Sequence, residues 1–266
     1  MLLAVEIGNT NLKFGLYETE GPAAGALVHS WRSVTNRQQT ADELAALVDG
    51  MLRIDGVARS AVTRVTVASV VPPLYLAITN MAQRYFGCRA EFISAARQSL
   101  MPVKTKHPEE LGADLIAGAI GGVRKYGAPL IVVGYGTATT FAAIDAAGAY
   151  VGTAIAPGIE VSVDALIARA AKLTDVPLVL PPAAIGTDTR ESLQSGILFG
   201  FVGQAEHLIA LIRGQLGGRP KVVATGGLSE LVAANSTSID AVDERLVLDG
   251  LYYWATSSVV PDAPRR

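Results

Sequence analysis

Residues 2–17 read LLAVEIGNTNLKFGLY. An apolar run carrying one carboxylate, Glu6, breaks at Gly8-Asn9-Thr10-Asn11 and resumes as a second apolar run carrying one lysine, Lys13. Short apolar runs bounded by turn residues read as strands, and the brief break makes the pair a β-hairpin. The turn has the chemistry of a phosphate holder. Gly8 lets backbone approach a ligand closely, while Asn9, Thr10 and Asn11 bring amides and a hydroxyl. Glu6 could hold a metal ion through water, and Lys13 could meet a phosphate as a point charge. Taken alone, such a turn is more often an ordinary Asn-rich hairpin. A second copy changes the balance: residues 130–144, LIVVGYGTATTFAAI, are again an apolar strand, a glycine-and-hydroxyl turn around Gly136 and Thr137, and an apolar strand.

The two copies start about half a chain apart, which points to a duplicated α/β fold with a nucleotide in the cleft between its halves. A third segment fits this plan: Lys221-Val222-Val223-Ala224-Thr225 is a short strand ending in Gly226-Gly227. The combination resembles the two-lobed ATPase superfamily of actin, hexokinase and Hsp70. That resemblance implies that Gly226 and Gly227 lie against the adenosine of the nucleotide.

The 266 residues, half of them hydrophobic, can bury a large core as one compact unit or two domains. Charged residues are 17% and the net charge is −2, so no broad field recruits nucleic acid or an anionic membrane. The single Cys88 has no partner for an internal disulfide, which fits a reducing compartment such as the cytoplasm. No run of 18 apolar residues suggests a transmembrane helix, and the N-terminal segment lacks the basic start and cleavage site of a signal peptide.

The pattern along the chain predicts strands at 2–7, 12–17 and 28–33. Thr40-Ala41-Asp42-Glu43 forms a capping box before helical spacing of Leu44, Leu47, Val48, Met51 and Leu52. A strand at 64–71 stops at Pro72-Pro73, a helix follows with Ile78, Met81 and Ala82 on its apolar face, and 91–93 is a short strand. Residues 94–111 read as loop, and a helix runs from Gly112 to about Lys125. After the second hairpin come a strand at 150–155, a helix at 161–172 and an apolar loop at 178–182. Gly186-Thr187-Asp188-Thr189 then caps a long helix from Arg190 to about Leu216. The strand at 221–225, a helix and an element at 244–253 complete the fold, and 261–266 reads as a disordered tail.

Six segments in this order resemble the type III pantothenate kinase family: Gly8-Asn9-Thr10-Asn11; residues 68–73, ASVVPP; residues 110–114, ELGAD; residues 136–140, GTATT; residues 152–159, GTAIAPGI; and residues 185–189, IGTDT. The resemblance implies transfer of a phosphoryl group from ATP to the primary alcohol of pantothenate, opening coenzyme A synthesis. It implies Asp114 as the base at the acceptor hydroxyl, although an aspartate at a helix start is also a common cap. Glu6 to Lys13 would hold the triphosphate and its Mg²⁺, and Gly136 and Thr137 would contact phosphate. Thr105, Gly112, Ala113, Asp114, Leu115 and Thr189 would line the pantothenate site. The implied lobes are residues 1–125, with the first phosphate loop and the base, and 126–266, with the second loop and the Gly pair. A homodimer is implied, its surface supplied by the long helix after Thr189 and the loop at 178–182.

The chain departs from the family pattern at several polar positions. Glu6 stands for an aspartate, and Leu115 for an arginine that would face the substrate. Gly134 replaces the aspartate that holds the family's activating K⁺ or NH₄⁺. Thr105 replaces a tyrosine that meets pantothenate, and Ala142 an aspartate. Three readings are therefore open from the residues: an active pantothenate kinase, an impaired relative that binds nucleotide or a pantothenate-like ligand, and a kinase of another small alcohol. His29, His107 and His207 have no metal-ligand spacing, Asp188 and Glu191 read as helix-start charges, and Trp31, Tyr252, Tyr253 and Trp254 read as core or interface.

Overall fold

The computed structural model describes residues 1–170 and 176–257. The chain divides into two compact units: residues 1–125 with the segment from Arg245 onward, and residues 126–244.

In the first unit β1 (Leu2–Ile7) and β2 (Asn11–Tyr17) form the expected hairpin, with Glu6 directly opposite Lys13. β3 (Leu27–Val34) adds antiparallel to β2, with Lys13 opposite Arg32. The helix α1 (Ala41–Ile54) starts on the predicted capping box: Thr40 Oγ1 accepts from Glu43 N, and the Glu43 carboxylate accepts from Thr40 N. β4 (Arg64–Ser69) lies parallel to β1 and is followed by α2 (Tyr75–Phe86) and β5 (Ala90–Phe92). The strand order is β3-β2-β1-β4-β5. Alternation along the hairpin sends Leu3, Val5 and Ile7 with Leu12, Phe14 and Leu16 to one face, where they join Leu44, Val48, Leu52, Ile78 and Met81 in a continuous core. Residues 94–111 are irregular apart from one short turn of helix, and α3 (Ala113–Tyr126) follows.

The second unit repeats this plan. β6 (Leu130–Tyr135), β7 (Ala138–Ile144) and β8 (Tyr150–Pro157) form an antiparallel meander, and α4 (Ile159–Arg169) follows. α5 (Thr189–Leu216) is the long helix, capped by Asp188, whose side chain accepts from Glu191 N at 2.7 Å. β9 (Lys221–Gly226), α6 (Ser229–Ala233) and β10 (Ala241–Val242) complete a sheet of order β10-β9-β6-β7-β8. β6 runs parallel to β9 just as β1 runs parallel to β4, and the burial of β1–β2 recurs residue for residue in β6–β7. The duplicated α/β architecture is thus present strand by strand. Of the helix expected at 161–172, the last two residues lie outside the described residues, as does the tail at 261–266.

Two features were not expected. The final helix, α7 (Leu246–Thr256), groups with the first unit, whereas the lobe boundaries drawn from sequence put it in the second. It covers the face of the first sheet opposite the α1–α2 core: a Cβ on Gly15 would meet Leu248 Cδ1 at 3.3 Å, and the Tyr17 ring stacks on Tyr252 at 5.0 Å. Tyr17 Oη and Lys125 Nζ both donate to Asp249, at 2.6 and 2.7 Å. Of the face expected on α3, Ile116, Ala119 and Ile120 are buried, and the helix buries glycine and alanine beside them. Ala117, Gly118, Gly121 and Gly122 are buried, and Leu115 and Val123 only partly so. The cause is its close crossing with α7. A Cβ on Gly121 would stand 2.1 Å from Leu246 O, and one on Gly250 1.8 Å from Ala117 O. Finally, among the described residues α5 alone is long and apolar enough to cross a membrane by length and composition. Its Ile197, Val202, Ala205 and Ile209 instead enter the core of the second unit.

Candidate active site

The first hairpin ends in a turn held by its own backbone and by the strand beside it. Gly8 N donates to Asn11 O at 3.0 Å, and a Cβ on Gly8 would stand 3.2 Å from that oxygen. Thr35, just past β3, donates through Oγ1 to Gly8 O at 2.7 Å and through its backbone N to Thr10 O at 2.9 Å. Arg37 Nη2 donates to Asn9 Oδ1 at 3.0 Å. The residues 8–11 are therefore fixed before any ligand arrives. The sequence reading missed the contributions of Thr35 and Arg37, which follow from where β3 ends and not from any local motif.

Behind the turn lies a charged row. Direct opposition across antiparallel strands puts Glu6, Lys13 and Arg32 on one face of the sheet. Lys13 Nζ donates to Glu6 Oε1 at 3.4 Å and stands 3.2 Å from Oε2, which accepts no hydrogen bond. The Glu6 side chain is only 14% exposed, and loss of water pushes its carboxyl above the usual range while Lys13 pulls it back. Asp114 belongs to the same cluster, its charge acting on Glu6 and that of Lys13 acting on it.

Asp114 lies in the first turn of α3. Ile116 N donates to Gly112 O at 3.2 Å, and the Asp114 carboxylate folds back to accept from Leu115 N at 2.9 Å. Gly112 makes this geometry fit, because a Cβ there would stand 2.6 Å from Asp114 Oδ1. Burial raises the Asp114 carboxyl above the ordinary aspartate value, opposed by the Leu115 amide and by Lys13. A carboxylate so placed is a better proton acceptor than an ordinary aspartate. Ala113 is buried beside it and Leu115 half-buried, and the hydroxyl of Thr105 is buried without a hydrogen-bond partner.

In the second unit the turn after β6 is closed by Gly136 N donating to Ala138 O at 3.1 Å. Gly158 N donates to Thr137 O at 3.1 Å, and a Cβ on Gly158 would stand 2.3 Å from Gly136 O, so this turn is clamped from behind by the end of β8. Gly226 needs to be glycine twice over: its φ is +100°, and a Cβ would stand 2.2 Å from Tyr135 O. Gly227 follows in the turn before α6. Gly134, opposite Thr140, offers no side-chain ligand, and a Cβ there would meet Thr140 Oγ1 at 2.7 Å. Thr189 opens α5, in an open depression of about 440 Å³ lined also by Gly186, Thr187, Asp188, Ser192 and Leu193.

Among the described residues no three His, Cys, Asp or Glu side chains gather to cage a metal ion. His107 is exposed beside Glu109 at 3.2 Å, and His29 stacks on Trp31.

Residues 2–211 match the family model described as type III pantothenate kinase. A type III pantothenate kinase of Anaeromyxobacter sp. (strain Fw109-5) is 43% identical over 94% of this chain and 97% of that protein. One of Brevibacillus brevis is 42% identical over 94% and 96%, and one of Moorella thermoacetica 42% over 94% and 97%. Among solved structures, the activator of 2-hydroxyisocaproyl-CoA dehydratase from Clostridium difficile, determined with bound ADPNP, has a TM-score of 0.55 at 14% identity, covering 96% of this chain and 92% of that one. A propionate kinase from Francisella tularensis has a TM-score of 0.51 at 13% identity, covering 94% and 98%. At these identities the likeness is one of fold, that of the actin-like ATPases. Sequence similarity over nearly the full length, on a duplicated fold with a carboxylate at the start of α3, leads to one conclusion: the chain belongs to the type III pantothenate kinase family.

Proposed function

We propose that this chain transfers the γ-phosphoryl group of ATP to the primary hydroxyl of pantothenate, giving 4′-phosphopantothenate, with Asp114 as the base. The observation that carries the reading is a buried carboxylate at a helix start, Asp114, within electrostatic reach of the Glu6–Lys13 pair that stands behind the 8–11 turn. Phosphoryl transfer asks the protein mainly to position the partners and balance charge. In this reading the 8–11 turn and Lys13 hold phosphate oxygens, and Asp114 accepts the proton of the attacking hydroxyl. Thr105, Gly112, Ala113 and Leu115, all of the first unit, face pantothenate. Gly136, Thr137, Gly226 and Gly227 keep the nucleotide-binding roles that family resemblance gives them.

The residues fit Mg²⁺ as an ion that the nucleotide brings with it. Glu6 Oε2 accepts no hydrogen bond and would hold it, directly or through water, with phosphates and water completing its shell. The ion would supply neutralisation of phosphate charge. A carboxylate-held K⁺ or NH₄⁺ does not fit, since Gly134 and Ala142 carry no oxygen on their side chains.

The homodimer is part of the proposal. Exposed apolar side chains stand in both segments expected to supply a subunit contact, Val179 and Leu180 in the loop at 178–182 and Phe199 and Leu211 on α5. A cytoplasmic enzyme acting on small molecules, with neither nucleic acid nor membrane as partner, is consistent with one cysteine and a small net charge. The test is ADP release coupled to pantothenate, with the product identified by mass. ATP binding without pantothenate-dependent ADP release would turn the reading to a nucleotide-binding relative.

A further inference from the structure

The charges behind the 8–11 turn balance one another. Glu6 and Asp114 act with Lys13 and Arg32 in one cluster, so Lys13 belongs to a group with no net charge. A nucleotide polyphosphate stays negative even with Mg²⁺ bound, and a cation that no carboxylate has claimed would strengthen its site. Arg37 is such a cation. It forms no ion pair among the described residues, and of its five N–H donors it gives one to the neutral Asn9 Oδ1, at 3.0 Å. The chain on both sides of it is fixed. Thr35 is bonded to Gly8 and Thr10, Asn36 Oδ1 accepts from Gln38 N at 3.0 Å, and Gln39 N donates to Asn36 O at 3.1 Å just before the Thr40 cap of α1. Arg37 is therefore anchored at its backbone, exposed at its side chain and already in contact with the turn. The turn does not depend on that contact, because Thr35 and the bond from Gly8 N to Asn11 O close it without Arg37.

We propose that Arg37 is a binding residue for the polyphosphate of the nucleotide: it rests on Asn9 in the unliganded turn and moves its guanidinium fork onto phosphate oxygens when they occupy the turn. The inference rests on the reading of the 8–11 turn as the phosphate site and adds to it a residue from outside the hairpin. The exchange is favourable because Asn9 Oδ1 is a single neutral acceptor, whereas a phosphate offers anionic oxygens at the spacing of two parallel N–H donors. Mg²⁺ keeps its place at Glu6, with which Arg37 forms no ion pair.

The test is isothermal titration of the full chain with a non-hydrolysable ATP analogue in excess Mg²⁺, repeated over a series of NaCl concentrations, with melting of the unliganded chain as the control on folding. Arg37→Gln should weaken binding by about tenfold, the low end of what a charge-assisted hydrogen bond contributes, because the site is open to water. It should also flatten the dependence of affinity on salt, since one fewer protein charge then faces the phosphates. Arg37→Lys keeps the charge and loses the fork, so its affinity should fall between the two and its salt dependence should stay. Both variants should melt with the unaltered chain, because the replaced side chain is exposed. Unchanged affinity in Arg37→Gln removes Arg37 from the role and leaves the phosphate site standing. Equal losses in both variants with the salt dependence intact, or a lowered melting temperature that accounts for the loss, make Arg37 a brace of the turn and overturn the proposal. Absence of binding by the unaltered protein overturns the phosphate site and this proposal with it.

Discussion

At Asp114 a helix start, a glycine and a buried carboxylate solve one problem together. Gly112 leaves the space that lets the carboxylate fold onto Leu115 N, and burial then raises its affinity for protons. Asp114→Asn should lower turnover by roughly 10²–10⁴-fold while nucleotide affinity, read by titration, barely moves. A carboxyl raised in the folded state contributes stability that is complete below its unfolded value near pH 4 and is lost as pH rises through the folded value. At pH 8 the charge is therefore a burden, and the Asn variant should melt at a higher temperature than the unaltered chain, by a margin that shrinks as the pH is lowered toward 4. The acid limb of the rate profile should sit above the usual aspartate range. A limb at the ordinary value would detach Asp114 from the proton transfer. Gly134 leads to the second residue-level expectation. Activity should respond little to K⁺ at fixed ionic strength, and Gly134→Asp should create that response. Thr140 Oγ1 stands 2.7 Å from the new Cβ, so its hydroxyl must rotate away, and adding Thr140→Ala should spare that adjustment. Strong activation of the unaltered chain by K⁺ would refute this.

Among elements, what could be read from sequence was what neighbouring residues decide. The two hairpins, the capping box at Thr40 and the Asp188 cap rest on spacing over a few residues, and each stands where the pattern put it. The Glu6–Lys13 opposition could also be counted out from the turn, and so could Arg32 once β3 was in register. The crossing of α3 and α7 could not, because it pairs glycines 129 positions apart, Gly121 and Gly250. Helical periodicity marks large apolar residues, whereas here closeness selects small ones. Gly250→Ala should cost about 2 kcal/mol or more in urea unfolding, since its Cβ would meet Ala117 O at 1.8 Å and backbone must shift to admit it. Full stability in that variant would mean that the two helices lie farther apart.

For the molecule as a whole, the exposed apolar side chains of the second unit set the expected assembly. Light scattering at micromolar concentration should give about twice the 27.7 kDa chain mass, and a monomer would count against the dimer. Polar substitution of Phe199, exposed on α5, should shift mass toward the monomer and leave the first unit's melting unchanged.

The return of α7 to the first unit also sets an order of events in synthesis. Residues 126–244 have all their sheet partners when the ribosome has passed Glu244, but the first sheet waits for the helix that covers Leu2, Ala4 and Gly15. The hairpin bearing Glu6 and Lys13, though made first, is completed last. A chain stopped before Leu246 would keep every residue assigned to chemistry and lose the wall behind them. In such a chain, amide exchange in β1 and β2 should quicken while β6 and β7 stay protected.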